Sequence, residues 1–180
     1  YQLDATAVAS RMSFFIWGSG PDDQLRELAI QGELSNPDVL EAQVERMLAD
    51  PRSKNLATSF ASQWLRLQEA GKNDPEPYLY PDFTGQLKED MIRETQLFFE
   101  NLITQDRSLL EIVSADYTFV NERLAEHYGI EGIIGNEFQR VNYPDENRRG
   151  LFGHGSVLML TSMSNRTSPV LRGKWVMEVI

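Results

Sequence analysis

Apolar side chains recur at helical spacing over residues 84–104, and this stretch is the clearest element in the sequence. At about 100° per residue, the apolar positions fall in one sector about 160° wide. That sector contains Leu87, Met91, Ile92, Thr95, Phe98, Phe99, Leu102 and Ile103. The opposite sector is charged and contains Glu89, Asp90, Arg93, Glu94 and Glu100. The pattern predicts a long helix with a buried apolar face and a solvated charged face.

Shorter helices are predicted on both sides of this long helix from their caps and hydrophobic spacing. Asp4 and Asn36 stand at N-cap positions, and Gly18, Gly32 and Gly129 stand where a left-handed residue ends a helix. The predicted helices cover residues 3–17, 22–30, 37–49, 52–68, 108–114, 122–127, 151–160 and 169–180, with a short strand at 138–143. The predicted fold class is all-α, an irregular multi-helix bundle around the long central helix, with room for one minor β-strand pair.

Aromatic residues concentrate in the predicted helices, and we interpret them as core residues. They are Phe14, Phe15, Trp17, Phe60, Trp64, Phe98 and Phe99. We prefer this interpretation to an aromatic box around a cofactor, since aromatic side chains at helical spacing most often pack inside a fold.

Metal and cofactor chemistry has little support in the composition. The sequence contains no cysteine, which excludes disulfides, thiolate metal sites, iron–sulfur ligation and c-type haem attachment within this segment. Asp145, Asn147 and Gly150 match part of a calcium-binding EF-hand loop, but Ser156 stands where the bidentate glutamate belongs. We therefore predict no metal and no cofactor held by this segment. No run of about 18 apolar residues occurs, so no membrane span is predicted.

The net charge of −10 is spread unevenly along the chain. Residues 140–180 carry six basic and three acidic side chains, whereas residues 1–139 are strongly acidic. The overall charge argues against a nucleic-acid partner, because phosphate binding relies on clustered lysine and arginine. The basic end of the chain is the part where a binding site is expected.

A basic motif at residues 165–174 is the sharpest candidate for such a site. Hydroxyl groups precede a helix start there, and arginines stand on both sides of it. Free amide groups, the helix dipole and guanidinium groups together suit a carboxylate or phosphate. The candidate anion- or partner-binding residues are Arg166, Thr167, Ser168, Arg172 and Lys174. The alternative is structural: Ser168 is an N-cap, and Arg166 pairs with an acidic side chain.

The two histidines occupy different settings. His127 lies in the last turn of a predicted helix, where an imidazole favours the negative end of the dipole, so we predict a structural role. His154 lies in Gly153-His154-Gly155-Ser156, where small neighbours let a ligand approach. A serine hydrolase is a weak interpretation of this motif, because the G-x-S-x-G elbow is missing. The other hypothesis makes His154 a neighbour of a redox centre held by another domain.

Five stretches along the chain carry a resemblance to a known bacterial family. They are ASRMSFFIWG at 9–18, QVERMLAD at 43–50, RET and FF within 93–99, ADYTFVN through HYG at 115–129, and RTSP through RGKW at 166–175. They cover nearly the whole chain in order. The sequence thus resembles the domain of unknown function 1592 (DUF1592), followed near its end by the start of the domain of unknown function 1588 (DUF1588).

The resemblance implies two domains, with residues 1–146 as the DUF1592 domain and 147–180 as the opening part of a truncated DUF1588 domain. We expect a segment of a longer polypeptide, since the chain does not begin with Met and its last helix lacks a C-cap. Family members resemble large exported proteins of planctomycetes and related bacteria, often with a cytochrome-c-like haem domain. The resemblance therefore implies a periplasmic or cell-envelope location and haem c elsewhere in the full-length chain. It supplies no catalytic residue, because the family has no established activity.

The leading hypothesis is a structural and interaction module of a large exported multidomain protein, without catalysis by this segment alone. Its expected partners are neighbouring domains of the same polypeptide or a small anionic ligand. The alternative is a periplasmic haem-dependent oxidoreductase whose active site is shared with missing domains, with His154 and the two arginines of the basic motif lining it. A third hypothesis, binding of an envelope glycan, rests on the aromatic side chains of Tyr78, Tyr80 and Tyr143.

Overall fold

The computed structural model describes residues 3–72 and 74–180, which form a mostly helical protein with two small antiparallel sheets. The helices of this part of the chain are α1 (Ala5–Trp17), α2 (Asp23–Gln31), α3 (Pro37–Ala49), α4 (Lys54–Trp64), α5 (Gly85–Thr104), α6 (Glu111–Ser114), α7 (Glu122–Tyr128), α8 (Gly155–Leu160) and α9 (Pro169–Val179). The strands are β1 (Tyr117–Val120), β2 (Gln139–Asn142), β3 (Ser162–Met163) and β4 (Arg166–Thr167). Short 3-10 helices cover Glu33–Ser35, Pro51–Ser53, Leu67–Glu69 and Leu151–Gly153.

Most helix boundaries agree with the predicted ones, because the side chains that cap a helix act locally. Asp4 accepts a hydrogen bond of 2.7 Å from the backbone N–H of Ala7, and Gly18 ends α1 in a left-handed conformation with φ 67°. The predicted helix over 52–68 is shorter in the structure. It ends at Trp64, and Arg66 just beyond has a left-handed backbone with φ 56°.

Two antiparallel strand pairs make the predicted all-α class too narrow. β1 pairs with β2 in a register that sets Tyr117 opposite Asn142. β3 pairs with β4 and sets Met163 opposite Arg166. The sequence predicts a loop over 161–168, because two-residue strands are too short to show the alternating pattern of a sheet.

The chain forms two compact units, Tyr1–Phe60 and Ala61–Ile180. The family-based domain boundary between residues 146 and 147 lies inside the second unit and stays a prediction. Within that unit, α5 contacts α8, so segments from both sides of the boundary pack together.

Trp17 is central to the packing of the first unit. Its indole N–H donates a 3.0 Å hydrogen bond to the backbone carbonyl of Met47, and the guanidinium of Arg52 lies 3.5 Å from the ring centroid. The buried face of α1 consists of Ala9, Ser13, Ile16 and Trp17. The prediction that the aromatic residues belong to the core is wrong for Phe14, Phe15 and Phe60, which are exposed. In α1, Phe14 and Phe15 lie outside this buried face and are exposed.

Helix α5 is the spine of the second unit and contacts β1, α7 and α8. The hydroxyl of Thr84 caps it by accepting a 3.1 Å hydrogen bond from the backbone N–H of Leu87. The predicted solvated face is wrong at Asp90 and Glu94, which are both buried. Asp90 lies 2.6 Å from Arg123 in an ion pair. Buried acids of this kind need hydrogen-bond partners, which the second unit supplies.

Candidate functional site

A cavity of about 660 Å³ opens in the second unit between the loop at 75–83 and helices α7, α8 and α9. Three arginines line it, namely Arg148, Arg166 and Arg172, together with one carboxylate, Asp82. A concave site with a few converging polar groups is the usual form of a small-molecule site. Cations outnumber acids in this cavity although the protein as a whole is acidic.

Arg148 is held in place by two contacts. Its guanidinium carbon lies 4.2 Å from the centroid of the Tyr128 ring, and its Nη1 donates a 2.9 Å hydrogen bond to the carbonyl of Gly153. Gly153 has no side chain to interfere, since a Cβ there would lie 2.8 Å from the Cα of Arg148. A guanidinium fixed in this way loses little conformational freedom when it binds an anion.

The basic motif contributes Arg166, Thr167 and Arg172 to the cavity, and their binding of an anion stays a prediction. Arg166 and Thr167 form strand β4, and Arg172 lies on the first turn of α9, where its Nε donates a 3.2 Å hydrogen bond to Thr161 Oγ1. The pairing of β3 with β4 therefore brings Arg166 to the same cavity as Arg172.

Ser168 and Lys174 do not line the cavity. Ser168 is the N-cap of α9 and accepts a 3.3 Å hydrogen bond from the backbone N–H of Leu171, as the structural alternative predicts. Lys174 lies 3.7 Å from Glu178 in an i,i+4 ion pair. Residues two positions apart on a helix point about 200° apart, which explains why Lys174 and Arg172 face different ways.

Tyr128 connects the cavity wall to the core. Its hydroxyl donates a 2.6 Å hydrogen bond to Glu94 and accepts a 2.8 Å hydrogen bond from the backbone N–H of Gly155. Glu94 is fully buried and also accepts a 2.5 Å hydrogen bond from the hydroxyl of Thr118. Burial and the neighbouring Glu94 raise the pKa of Tyr128 well above its usual value, so the phenol stays protonated.

His127 lies in the last turn of α7, as predicted, and also lines the cavity. Its pKa is lowered, first by partial burial and then by Arg148, while Glu94 and Asp82 act in the opposite direction. The imidazole is therefore neutral near pH 7 and adds a polar group rather than a charge.

His154 is fully buried and does not line the cavity. Its Nδ1 lies 2.9 Å from the hydroxyl of Thr95, which lies 2.7 Å from the hydroxyl of Ser156. Thr95 therefore stands between the histidine and the serine, which disfavours the hydrolase interpretation. Burial lowers the pKa of His154. Its proposed place beside a redox centre stays a prediction.

The tyrosines of the glycan hypothesis do not form one exposed set. Tyr78 is exposed, Tyr80 lines the cavity and Tyr143 is buried.

The described residues contain no group of three histidine, aspartate or glutamate side chains that could hold a metal ion. Residues 3–72 and 74–180 also contain no helix long and apolar enough to cross a membrane.

Sequence reasoning missed Arg148 and Glu94 as site residues. Arg148 belongs to the basic end of the chain, but its position depends on Tyr128 and Gly153. Glu94 lies in the sector of the helix that the sequence predicts to be solvated. One feature of the sequence points to the burial of Glu94. It lies one helical turn after Asp90 and Met91, on a helix that contacts several other elements.

A comparison with protein-family models gives a match. The family model described as "Protein of unknown function (DUF1592)" matches residues 3–130, which is more than half of the chain. No curated protein and no solved structure matches the chain. The matched range contains α1 to α7, and with them Tyr128 of the cavity wall and Glu94, which accepts its hydrogen bond. The chain therefore belongs to the DUF1592 family of proteins of unknown function.

Proposed function

We propose that this chain is a binding module whose cavity receives an anionic group. The observation that carries the proposal is the convergence of Arg148, Arg166 and Arg172 on one cavity that contains a single carboxylate, Asp82. Guanidinium groups bind carboxylate and phosphate through paired, charge-assisted hydrogen bonds. Like charges gathered in one cavity also repel one another, and a bound anion offsets that repulsion.

The source of the anionic group is proposed from the resemblance of the sequence to the DUF1592 and DUF1588 domains. We propose that the module belongs to a large exported protein of the periplasm or cell envelope, with a cytochrome-c-like haem domain elsewhere in the chain. Residues 147–180 are proposed to open a DUF1588 domain. The partner is then either a neighbouring domain that presents an acidic group or a small anionic ligand.

The rival proposal is a haem-dependent oxidoreductase site that this segment shares with other domains. It requires His154 to approach a redox centre, whereas His154 is enclosed by protein and its Nδ1 is engaged with Thr95. This burial supports a binding module over a catalytic one. Visible spectra of the full-length protein distinguish the two: haem bands that shift on His154→Ala favour the oxidoreductase, and unchanged bands favour the binding module.

Isothermal titration of the full-length protein with inorganic phosphate and acetate at low ionic strength tests the anion site. We expect Arg166→Ala and Arg172→Ala each to weaken binding about tenfold or more, because a hydrogen bond between charged groups is lost. Lys174→Ala is the matched control, since this cation lies on α9 outside the cavity. Absence of binding by the wild type, or equal weakening by Lys174→Ala, would contradict the proposal.

A further inference from the structure

The cavity is much larger than a simple anion. Its volume of about 660 Å³ falls in the range of sites that enclose a drug-sized organic molecule, roughly 300–1,000 Å³. Phosphate or acetate would contact the arginines and leave most of the cavity unfilled. The remaining surface must therefore suit the rest of a larger ligand.

Most of that remaining surface is apolar. The apolar side chains that line the cavity include Leu79, Phe83, Met91, Leu158, Met159 and Met163. Met91 and Met159 are buried, whereas Leu79 and Met163 are 49% and 42% exposed. The cavity thus has an apolar interior and an apolar rim, and methionine side chains adapt to ligands of different shapes.

The β3–β4 pair places a cation and an apolar side chain side by side. Met163 on β3 lies directly opposite Arg166 on β4, and both line the cavity. Cross-strand partners project on the same face of a sheet. One strand pair therefore offers a contact for a charged head group next to a contact for an apolar chain.

We propose that the cavity binds an organic acid, a carboxylate or phosphate that carries an aliphatic chain or aromatic ring. This inference rests on the proposed function and names its ligand class. The arginines bind the anionic head group, and the methionines and leucines cover the apolar body. Release of water from that apolar surface supplies the part of the affinity that a simple anion lacks.

The test is a titration of the full-length protein with acetate, butanoate, hexanoate and octanoate, and with hexanamide as the uncharged control. We expect the affinity to rise about fourfold per methylene until the cavity is filled, as expected for burial of a CH₂ group. The affinity for hexanamide should be lower than that for hexanoate by about tenfold or more, because hexanamide lacks the charge. Hexyl phosphate in the same titration shows which head group the arginines prefer.

Two variants of the rim test the apolar contact directly. Met163→Gln and Leu79→Gln should lower the gain in affinity per methylene relative to the wild type, and the exposure of both side chains makes loss of the fold unexpected. Leu110→Gln is the control, since Leu110 is exposed and lies outside the cavity. Equal affinity for acetate and octanoate, with the dependence on Arg166 retained, would overturn this inference and leave the proposed function intact. Absence of binding by every acid would overturn both.

Discussion

The hydroxyl of Tyr128 donates a 2.6 Å hydrogen bond to Glu94, a carboxylate that is fully buried in the second unit. The ring of the same tyrosine supports the guanidinium of Arg148 at the cavity wall. A buried acid on α5 thereby positions a cation that faces the cavity. The contacts from Glu94 through Tyr128 to Arg148 therefore connect the core of the unit to its candidate site.

Glu94→Gln is expected to destabilise the protein by about 1–3 kcal/mol. The amide places an NH₂ donor where the hydroxyls of Thr118 and Tyr128 need an acceptor. Urea unfolding measures the effect. Glu89→Gln on the exposed side of the same helix is the control and should change the free energy of unfolding by less than about 0.5 kcal/mol. Equal stabilities of the two variants would rule out the network.

Gly155→Ala and Gly173→Ala should have opposite effects. A Cβ at Gly155 would lie 2.7 Å from both Met91 Cγ and the Tyr128 hydroxyl, so we expect a loss of about 1–3 kcal/mol. Gly173 lies in α9 with nothing within 4 Å of a Cβ, and alanine there should stabilise the helix by about 0.5–1 kcal/mol. Thermal unfolding of both variants checks the signs. A stable Gly155→Ala protein would show that α8 packs less closely than described.

Trp17→Phe is expected to cost the first unit about 1–3 kcal/mol. The change removes the indole N–H that satisfies the Met47 carbonyl in the last turn of α3, where carbonyl groups lack helical partners. It also removes the larger ring under Arg52. Phe14→Leu is the control, since Phe14 is 61% exposed. Chemical unfolding should separate the two variants, and a larger loss for Phe14→Leu would contradict the packing of α1.

Stability should fall as the solution becomes acidic below about pH 6.5. Burial lowers the pKa of His154 below its ordinary value of 6.5, so the unfolded chain binds this proton more readily than the folded one. The free energy of unfolding then decreases by at most about 1.4 kcal/mol per pH unit for this histidine. Asp50, whose pKa is held at about 2 by Arg52, loses its contribution only below about pH 4. His154→Gln should reduce the change in the free energy of unfolding between pH 7.5 and 5.5. An unchanged pH dependence would show that other groups cause it.

Local signals in the sequence predict much of the fold. Asp4 and Thr84 cap their helices through the next turn, and Gly18 and Gly129 end theirs with positive φ. These features depend on a few neighbouring residues, so a single sequence is enough to find them. The same holds for the start of α9, where Ser168 is the N-cap and Pro169 is the first helical residue.

Features that depend on distant residues could not be predicted in this way. Glu94 is buried because Thr118 and Tyr128, 24 and 34 positions away, supply its hydrogen bonds. Arg148 reaches the cavity because Tyr128 supports it. The basic motif was found from local charge, but only the strand pairing of Arg166 and the helix geometry around Arg172 decide which of its residues share a cavity.

Arginine footprinting of the full-length protein tests the anion site most directly. Phenylglyoxal modification, followed by peptide mass spectrometry with and without inorganic phosphate, reports each guanidinium separately. We predict that phosphate slows modification of Arg148, Arg166 and Arg172, while Arg149, exposed and outside the cavity, reacts at the same rate. Unchanged rates at all three cavity arginines, or equal protection of Arg149, would contradict the claim that this cavity binds an anion.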